Sequence, residues 1–214
     1  MNRNSTRKLF FDRFEKPATG VLNAMGVSPN ALTILTLPVS VISAYLASIE
    51  ALAASGIVLL IAGLLDMLDG ALARATERET AFGALLDSTS DRISEALVLV
   101  GVLIFYMGRT AGEERVAGAI LVFTAVVGSS MVSYVRARAE GLDLNCKVGV
   151  MTRPERIVAL ASGLILGQWW ELALLAALAV VSVLTAITTV QRVLHVRNLL
   201  SQQQTTLGAR QDPP

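Results

Sequence analysis

The chain has 214 residues, of which 53% are hydrophobic and 16% are charged, and its mean hydropathy is +0.59. This composition excludes a disordered chain and is too apolar for an ordinary soluble domain. The formal net charge of +1 gives no electrostatic indication of a nucleic-acid partner, so none is expected. The single cysteine, Cys146, excludes a disulfide framework and a metal site built from several cysteines.

The segment before the first apolar run predicts an amphipathic helix at the membrane surface. Phe10, Phe14 and Val21 recur at helical spacing, and basic residues fall between them. Ser28 and Pro29 then suit the N-cap and the first position of a helix. At the other end of the chain, the polar composition predicts a disordered tail. The expected organisation is a juxtamembrane helix in 1–30, a membrane domain in 31–197 and a tail in 198–214.

Six apolar segments make up the membrane domain, and each is long enough to cross a hydrocarbon core of about 30 Å as a tilted helix. They predict an all-α integral membrane protein with six transmembrane helices and short connections between antiparallel neighbours. We expect the spans at roughly 31–49, 51–73, 82–108, 116–138, 154–170 and 171–193.

The distribution of basic residues predicts the orientation of the chain. All but two of the 18 lysine and arginine residues fall on the side of the membrane that holds both termini, and the exceptions are Arg109 and Arg115. By the positive-inside rule, both termini are expected in the cytoplasm. Trp169 and Trp170 then lie at the opposite interface, where aromatic belts occur. We therefore expect a multi-pass protein of a cell membrane, the inner membrane of a prokaryote.

Two groups of acidic and small residues lie where the second and third spans approach the same membrane surface. Each group repeats at helical spacing, so its members share one helix face. Because a short polar loop turns the chain back between the two spans, the two faces can meet near one depth. The groups are Asp66, Asp69, Gly70 and Ala73 in the second span, and Gly83, Asp87 and Asp91 in the third.

Four carboxylates in one partly dry site cannot all stay ionised without cations. Two divalent ions would balance the four negative charges, and oxygen ligands favour Mg²⁺ or Mn²⁺ over zinc. A metal pair beside small residues would suit a pyrophosphate. Two alternatives are helix-end charges paired with nearby arginines, and a proton or cation pathway. A pathway should also place ionisable groups toward the opposite side of the membrane, and spans 1, 4, 5 and 6 offer none near its middle.

The same residues resemble the signature of the CDP-alcohol phosphotransferase family, D-x-x-D-G-x-x-A-R, eight residues, then G-x-x-x-D-x-x-x-D. The chain matches every fixed position, including Arg74 directly after Ala73. The stretch at 27–33 also resembles the segment that opens the first span in this family. The resemblance implies a CDP-linked lipid donor, usually CDP-diacylglycerol, whose lipid-side phosphorus is attacked by an alcohol while CMP leaves.

The resemblance also assigns roles to individual residues. It implies that Asp66, Asp69, Asp87 and Asp91 border two divalent cations, and that Asp91 is the general base on the attacking hydroxyl. It further implies a homodimer among membrane lipids. The residues expected to contact the CDP-linked lipid are Asn30, Thr33, Asp66, Asp69, Gly70, Ala73, Arg74, Gly83 and Asp87.

Basic residues in the second half of the chain resemble the branch of the family that makes phosphatidylinositol phosphate. The resemblance implies that the acceptor phosphate is held by Ser133, Arg136, Arg156 and Arg192, and arginine forks suit such a dianion. The predicted reaction transfers a phosphatidyl group from CDP-diacylglycerol to 1D-myo-inositol 3-phosphate. Glycerol 3-phosphate is the alternative acceptor, and an archaeal-type ether lipid is the alternative donor. The competing classes are a transporter, which would release no CMP, and a scaffold, in which Asp91→Asn would be silent.

Overall fold

The computed structural model describes residues 15–108 and 112–211. No strand occurs among the described residues, which confirms the predicted all-α class. Within them, the helices are α1 (Lys16–Ala24), α2 (Pro29–Ser48), α3 (Leu52–Ala75), α4 (Ala81–Gly108), α5 (Glu113–Glu140), α6 (Arg153–Gly167) and α7 (Glu171–Gln211). Helices α2 to α6 agree with the predicted apolar segments to within a few residues at each end.

The described chain divides into two compact units, with the boundary between Phe105 and Tyr106 near the end of α4. The first unit contains α1, α2, α3 and most of α4. The second contains the end of α4 together with α5, α6 and α7. The acidic motif therefore belongs wholly to the first unit, and the residues expected to hold the acceptor phosphate belong wholly to the second.

In the first unit, a pair of serines joins α2 to α3. Ser43 Oγ donates to the Ser55 carbonyl at 3.0 Å, and Ser55 Oγ donates to the Ser43 carbonyl at 2.8 Å. Because both side chains are fully buried, each hydroxyl needs such a partner. Helix α4 approaches α2 closely at Gly101, where a Cβ would overlap the backbone of Ala44. Small residues of this kind let two helices come into backbone contact.

In the second unit, α5 and α6 both pack against α7. The contacts again use small and hydroxyl residues. A Cβ on Gly128 of α5 would overlap Thr185 of α7, and a Cβ on Gly163 of α6 would overlap Ala177. This packing is typical of helices in a bilayer, where apolar surface alone does not drive helices together.

Among the described residues, four helices, α2, α3, α5 and α7, are long and apolar enough to cross a membrane. Large apolar side chains such as Ile34, Phe123 and Val183 are exposed, whereas Thr36 and Ser40 are buried. A soluble protein distributes these residue types in the opposite way. The distribution and the long apolar helices indicate a membrane protein.

The other two predicted spans have features that separate them from these four helices. Helix α4 carries Asp87, Asp91 and Arg92 in its first half. Helix α6 has 15 residues, which correspond to about 22 Å along its axis. The count of six spans therefore stays a prediction.

Helices lie near both ends of the described chain. Helix α1 covers the later part of the expected amphipathic segment, and Pro17 lies in its first turn. Phe10 and Phe14 lie outside the described residues. Helix α7 continues to Gln211, so it extends through residues 198–211, and the expected organisation with a disordered tail at 198–214 stays a prediction. Glutamine and leucine are good helix formers, and no glycine or proline interrupts this stretch before Gly208.

Candidate active site

Three of the predicted metal ligands converge in the first unit. One carboxylate oxygen from each of Asp66, Asp69 and Asp87 lies within 4.8 Å of the other two. Asp66 and Asp69 lie one turn apart on α3, and Asp87 lies in the second turn of α4. Asp69 is only 4% exposed, and the other two are half-buried. These three oxygen donors fit a hard divalent cation, which would also offset the mutual repulsion of their charges.

Helix α2 orients the most buried of these carboxylates. Thr33 Oγ1 donates to Asp69 Oδ2 at 2.6 Å, and the Thr33 side chain is itself buried. A hydrogen bond to a ligand carboxylate fixes its orientation and is a common feature of the residues that surround metal ligands. Thr33 was expected to contact the CDP-linked lipid. The structure gives its hydroxyl a second role, which is to hold Asp69 in place.

A cleft of about 220 Å³ opens beside the carboxylates. It lies among the start of α2, the end of α3, the connection after α3 and the start of α4. Of the residues expected to contact the CDP-linked lipid, only Asp66 is outside its lining. The expected residues that line it are Asn30, Thr33, Asp69, Gly70, Ala73, Arg74, Gly83 and Asp87.

Two glycines leave room in this cleft. A Cβ on Gly83 would lie 3.0 Å from Thr80 Oγ1 and 3.2 Å from Asn30 Oδ1, which is tighter than ordinary contact. A Cβ on Gly70 would lie 3.4 Å from Arg74 Nη1. The Arg74 guanidinium therefore lies beside Gly70, and a ligand in the cleft can reach both the cation and the helix backbone.

The cleft also contains residues that the sequence analysis did not assign to the site. Arg78, Glu79 and Thr80 line it, and all three come from the eight-residue spacer of the motif. Thr80 accepts a hydrogen bond from the Gly83 backbone N–H at 2.9 Å at the start of α4. A threonine just before an apolar run is a recognisable cap signal. No periodicity or motif position distinguishes Arg78 and Glu79 from ordinary loop residues.

Asp91 does not join the group formed by the three aspartates among the described residues. It is half-buried on α4, four residues after Asp87. Four residues of helix correspond to an axial displacement of about 6 Å, so the two carboxylates share a face but differ in depth. The structure thus separates the expected general base from the three closely grouped carboxylates.

In the second unit, two of the expected phosphate ligands are buried arginines. Arg156 is 3% exposed and Arg192 is 4% exposed. Arg192 donates to the backbone carbonyls of Val132 at 2.6 Å and Val148 at 2.9 Å. A buried guanidinium is costly unless hydrogen bonds or anions compensate its charge, so each of these two arginines could contribute to an anion site.

The other two expected phosphate ligands lie on α5 in different surroundings. Ser133 is half-buried. Arg136 is exposed, and its Nε donates to Glu140 Oε1 at 2.9 Å on the same helix. Because an acid on its own helix engages Arg136, this arginine is less committed to an anion site than the two buried ones.

The sequence matches a model of the CDP-alcohol phosphatidyltransferase family over residues 26–191. The archaetidylinositol phosphate synthase of Pyrococcus horikoshii is 36% identical over 140 residues, which are 65% of this chain and 70% of the relative. The crystal structure of the phosphatidylinositol phosphate synthase of Mycobacterium tuberculosis with CDP-DAG bound matches with a TM-score of 0.78 and 34% identity, covering 86% of this chain and 94% of the other. Its structure in complex with manganese and citrate matches with a TM-score of 0.77 and 34% identity, covering 84% and 87%.

Proposed function

Because the chain belongs to the CDP-alcohol phosphatidyltransferase family and is an enzyme of that class, we propose that it uses CDP-diacylglycerol and 1D-myo-inositol 3-phosphate as substrates. The products are phosphatidylinositol phosphate and CMP. The observation that carries this proposal is the cleft in the first unit, where the motif residues surround one space beside three carboxylates. The names of the relatives, which include phosphatidylinositol and archaetidylinositol phosphate synthases, support the choice of acceptor.

Asp66, Asp69 and Asp87 would hold divalent cations, Mg²⁺ or Mn²⁺, since their donor set consists of oxygens alone. A complex of the similar mycobacterial enzyme with manganese supports this assignment. We propose two ions, with Asp91 bordering them. When bound, the ions neutralise negative charge on the pyrophosphate and on the leaving CMP.

The remaining cleft residues would hold the nucleotide end of the donor. The Arg74 guanidinium pairs with phosphate oxygens, and Gly70, Ala73 and Gly83 admit the ligand close to the helix backbones. Asn30 and Thr33 line the same cleft from α2. The apolar outer faces of the helices meet the acyl chains, because the donor is itself a membrane lipid.

Asp91 would act as the general base. It accepts the proton of the attacking inositol hydroxyl, whose oxygen forms the new bond to the lipid-side phosphorus while the bond to CMP breaks. A hydroxyl has a very high pKa, so removal of its proton contributes a large part of the rate. Its position four residues after Asp87 on α4, on the same helix face, supports a role beside the proposed metal site.

The phosphate of the acceptor would be held in the second unit by Arg156 and Arg192, with Ser133 and Arg136 in support. Both hydrogen bonds of Arg192 within the described residues end on backbone carbonyls, so no carboxylate contacts this cation directly. A buried guanidinium whose hydrogen bonds end on neutral carbonyls, as at Arg192, favours a negatively charged ligand such as a phosphate dianion. This is the reason to prefer a phosphorylated acceptor over a neutral polyol.

We further propose six membrane spans with both termini in the cytoplasm, assembly as a homodimer and a location in a prokaryotic inner membrane. The positive-inside distribution of lysine and arginine supports the orientation. In this arrangement, the domain at 31–197 contains both substrate sites.

The test measures CMP release by the purified protein with CDP-diacylglycerol and Mg²⁺. Inositol 3-phosphate and glycerol 3-phosphate are offered in parallel, and an ether-linked CDP-lipid replaces the donor in a second series. Release with inositol 3-phosphate supports the proposal. Release with glycerol 3-phosphate alone would keep the donor chemistry and replace the acceptor. No release with any pair would favour the transporter class, which is then tested by ion flux in liposomes.

A further inference from the structure

The segment at 141–152, which we call the α5–α6 connection, is bonded to α7 at two points. The backbone N–H of Met151 donates to Thr188 Oγ1 at 3.0 Å, and Arg192 Nε donates to the Val148 carbonyl at 2.9 Å. Thr188 and Arg192 lie one turn apart on α7, and both are buried. A segment between two helices is usually mobile, but this one has its backbone bonded to the side chains of a third helix.

Gly149 allows the backbone to approach α7 this closely. Its φ is +133°, a conformation that residues with a side chain rarely adopt. A Cβ at this position would overlap the methyl group of Thr188 and would lie 3.5 Å from Arg192 Nε. The connection therefore passes directly over the two α7 side chains to which it is bonded.

This attachment lies directly before the start of α6. Met151 is followed by Thr152, which is the N-cap of α6, and the Arg156 N–H donates to the Thr152 carbonyl at 3.2 Å in the first turn. The bond from Met151 to Thr188 is thus five residues away from Arg156 along the chain. Of the two bonds described between the connection and α7, the bond at Met151 is nearer to Arg156 in the sequence than the bond at Val148.

We propose that Thr188 is a positioning residue for the acceptor site, acting through the α5–α6 connection on Arg156. Thr188 touches no substrate in this scheme. It fixes the start of α6, so that the buried Arg156 guanidinium is held where the acceptor phosphate binds. This inference rests on the proposed acceptor site and adds to it a residue that lies outside the family motif.

The test compares Thr188→Val with Thr189→Val. Valine keeps the shape of threonine but cannot accept the Met151 hydrogen bond. Thr189 is the matched control, because its hydroxyl bonds only to the Thr185 carbonyl of its own helix, at 2.9 Å. We expect Thr188→Val to raise the KM for inositol 3-phosphate roughly two- to tenfold, which corresponds to the loss of one hydrogen bond. The KM for CDP-diacylglycerol should not change, and Thr188→Ser should restore the wild-type acceptor KM.

A purely structural role for Thr188 would change both KM values together or leave both unchanged, and either result overturns the proposal. The binding of inorganic phosphate to the same variants is also measured, with ³¹P NMR as the method. This probe reports the arginine site even if inositol 3-phosphate proves not to be the acceptor. Weaker phosphate binding in Thr188→Val than in Thr189→Val then supports the positioning role, although the proposed function has failed. Equal phosphate binding overturns the role whatever the acceptor is.

Discussion

The hydrogen bond from Thr33 to Asp69 links a neutral side chain on α2 to the proposed metal site. Thr33→Val removes the hydroxyl while keeping the shape of the side chain, so the Asp69 carboxylate loses its donor at 2.6 Å. We expect the Mg²⁺ concentration for half-maximal activity to rise about tenfold, as is usual when a group that orients a metal ligand is lost. A titration of CMP release with Mg²⁺ measures this shift.

Thr36→Val is the matched control for that experiment. The Thr36 hydroxyl donates to the Thr33 backbone carbonyl at 2.6 Å, and its side chain is also buried. Both variants remove one buried hydroxyl from the same helix, but only one of these hydroxyls contacts a carboxylate. An equal shift in Mg²⁺ requirement for the two variants would attribute the effect to general loosening of α2.

A substitution at Asp91 tests whether this residue acts in the chemical step and not in substrate binding. Asp91→Asn keeps the size of the side chain but removes its capacity to accept a proton. If it is the general base, kcat should fall by at least about a hundredfold, while the KM for CDP-diacylglycerol stays near its wild-type value. Steady-state kinetics with both substrates tests this expectation.

Asp143→Asn makes the same chemical change at an exposed residue of the α5–α6 connection. Its φ is +56°, which asparagine tolerates well, so the control introduces no backbone strain. We expect wild-type kinetics from it. Normal turnover by Asp91→Asn would remove Asp91 from the role of base and would be compatible with a scaffold.

At the scale of helices, α4 can pack closely against α2 because Gly101 has no side chain. At Gly101, a methyl group would overlap the backbone of Ala44, so Gly101→Ala forces the two helices apart. We expect a loss of about 1–3 kcal/mol in unfolding free energy, typical of an overfilled contact. The midpoint of thermal unfolding in detergent should fall accordingly.

Gly20→Ala supplies the comparison, because no atom lies within 4 Å of the Cβ that it adds in α1. Replacing an unhindered helical glycine by alanine reduces the entropy of the unfolded chain, so its midpoint should stay level or rise. No fall in Gly101→Ala would indicate that the α2–α4 contact can open without cost, and a similar fall in both variants would mean that the effect is not specific to this contact.

Caps and helix ends show how far local sequence determines these elements. Ser28 is the N-cap of α2 as predicted, and its Oγ accepts from the Ala31 N–H at 3.2 Å. At α6, Thr152 is also the N-cap, but its hydroxyl bonds to the Glu155 carboxylate instead of to a backbone N–H. The serine thus predicted where α2 starts, whereas the hydrogen-bond partner of the Thr152 hydroxyl depended on a competing neighbour.

On the scale of the whole molecule, the two proposed substrate sites differed in how well they could be predicted. The cleft in the first unit is built from two helices joined by one short loop, so residue spacing alone brought Asp69 and Asp87 together. The arginine site is different, because Arg192 bonds to carbonyls that lie 60 and 44 residues before it. Contacts over such separations leave no periodic signal in the sequence, and only the resemblance to a family pointed to these residues.

Helix α6 is one of the two predicted spans on which the count of six depends, because its 15 residues are fewer than a span usually needs. Gln168 and Asn145 lie beyond its two ends, and both are exposed. With the buried Cys146 replaced by serine, a single cysteine is introduced at either position and treated with a membrane-impermeant maleimide. In intact spheroplasts we expect Gln168→Cys to be labelled and Asn145→Cys to react only after permeabilisation, because the two residues should face opposite sides. Labelling of both before permeabilisation would mean that α6 turns back within the membrane, and the six-span topology would be wrong.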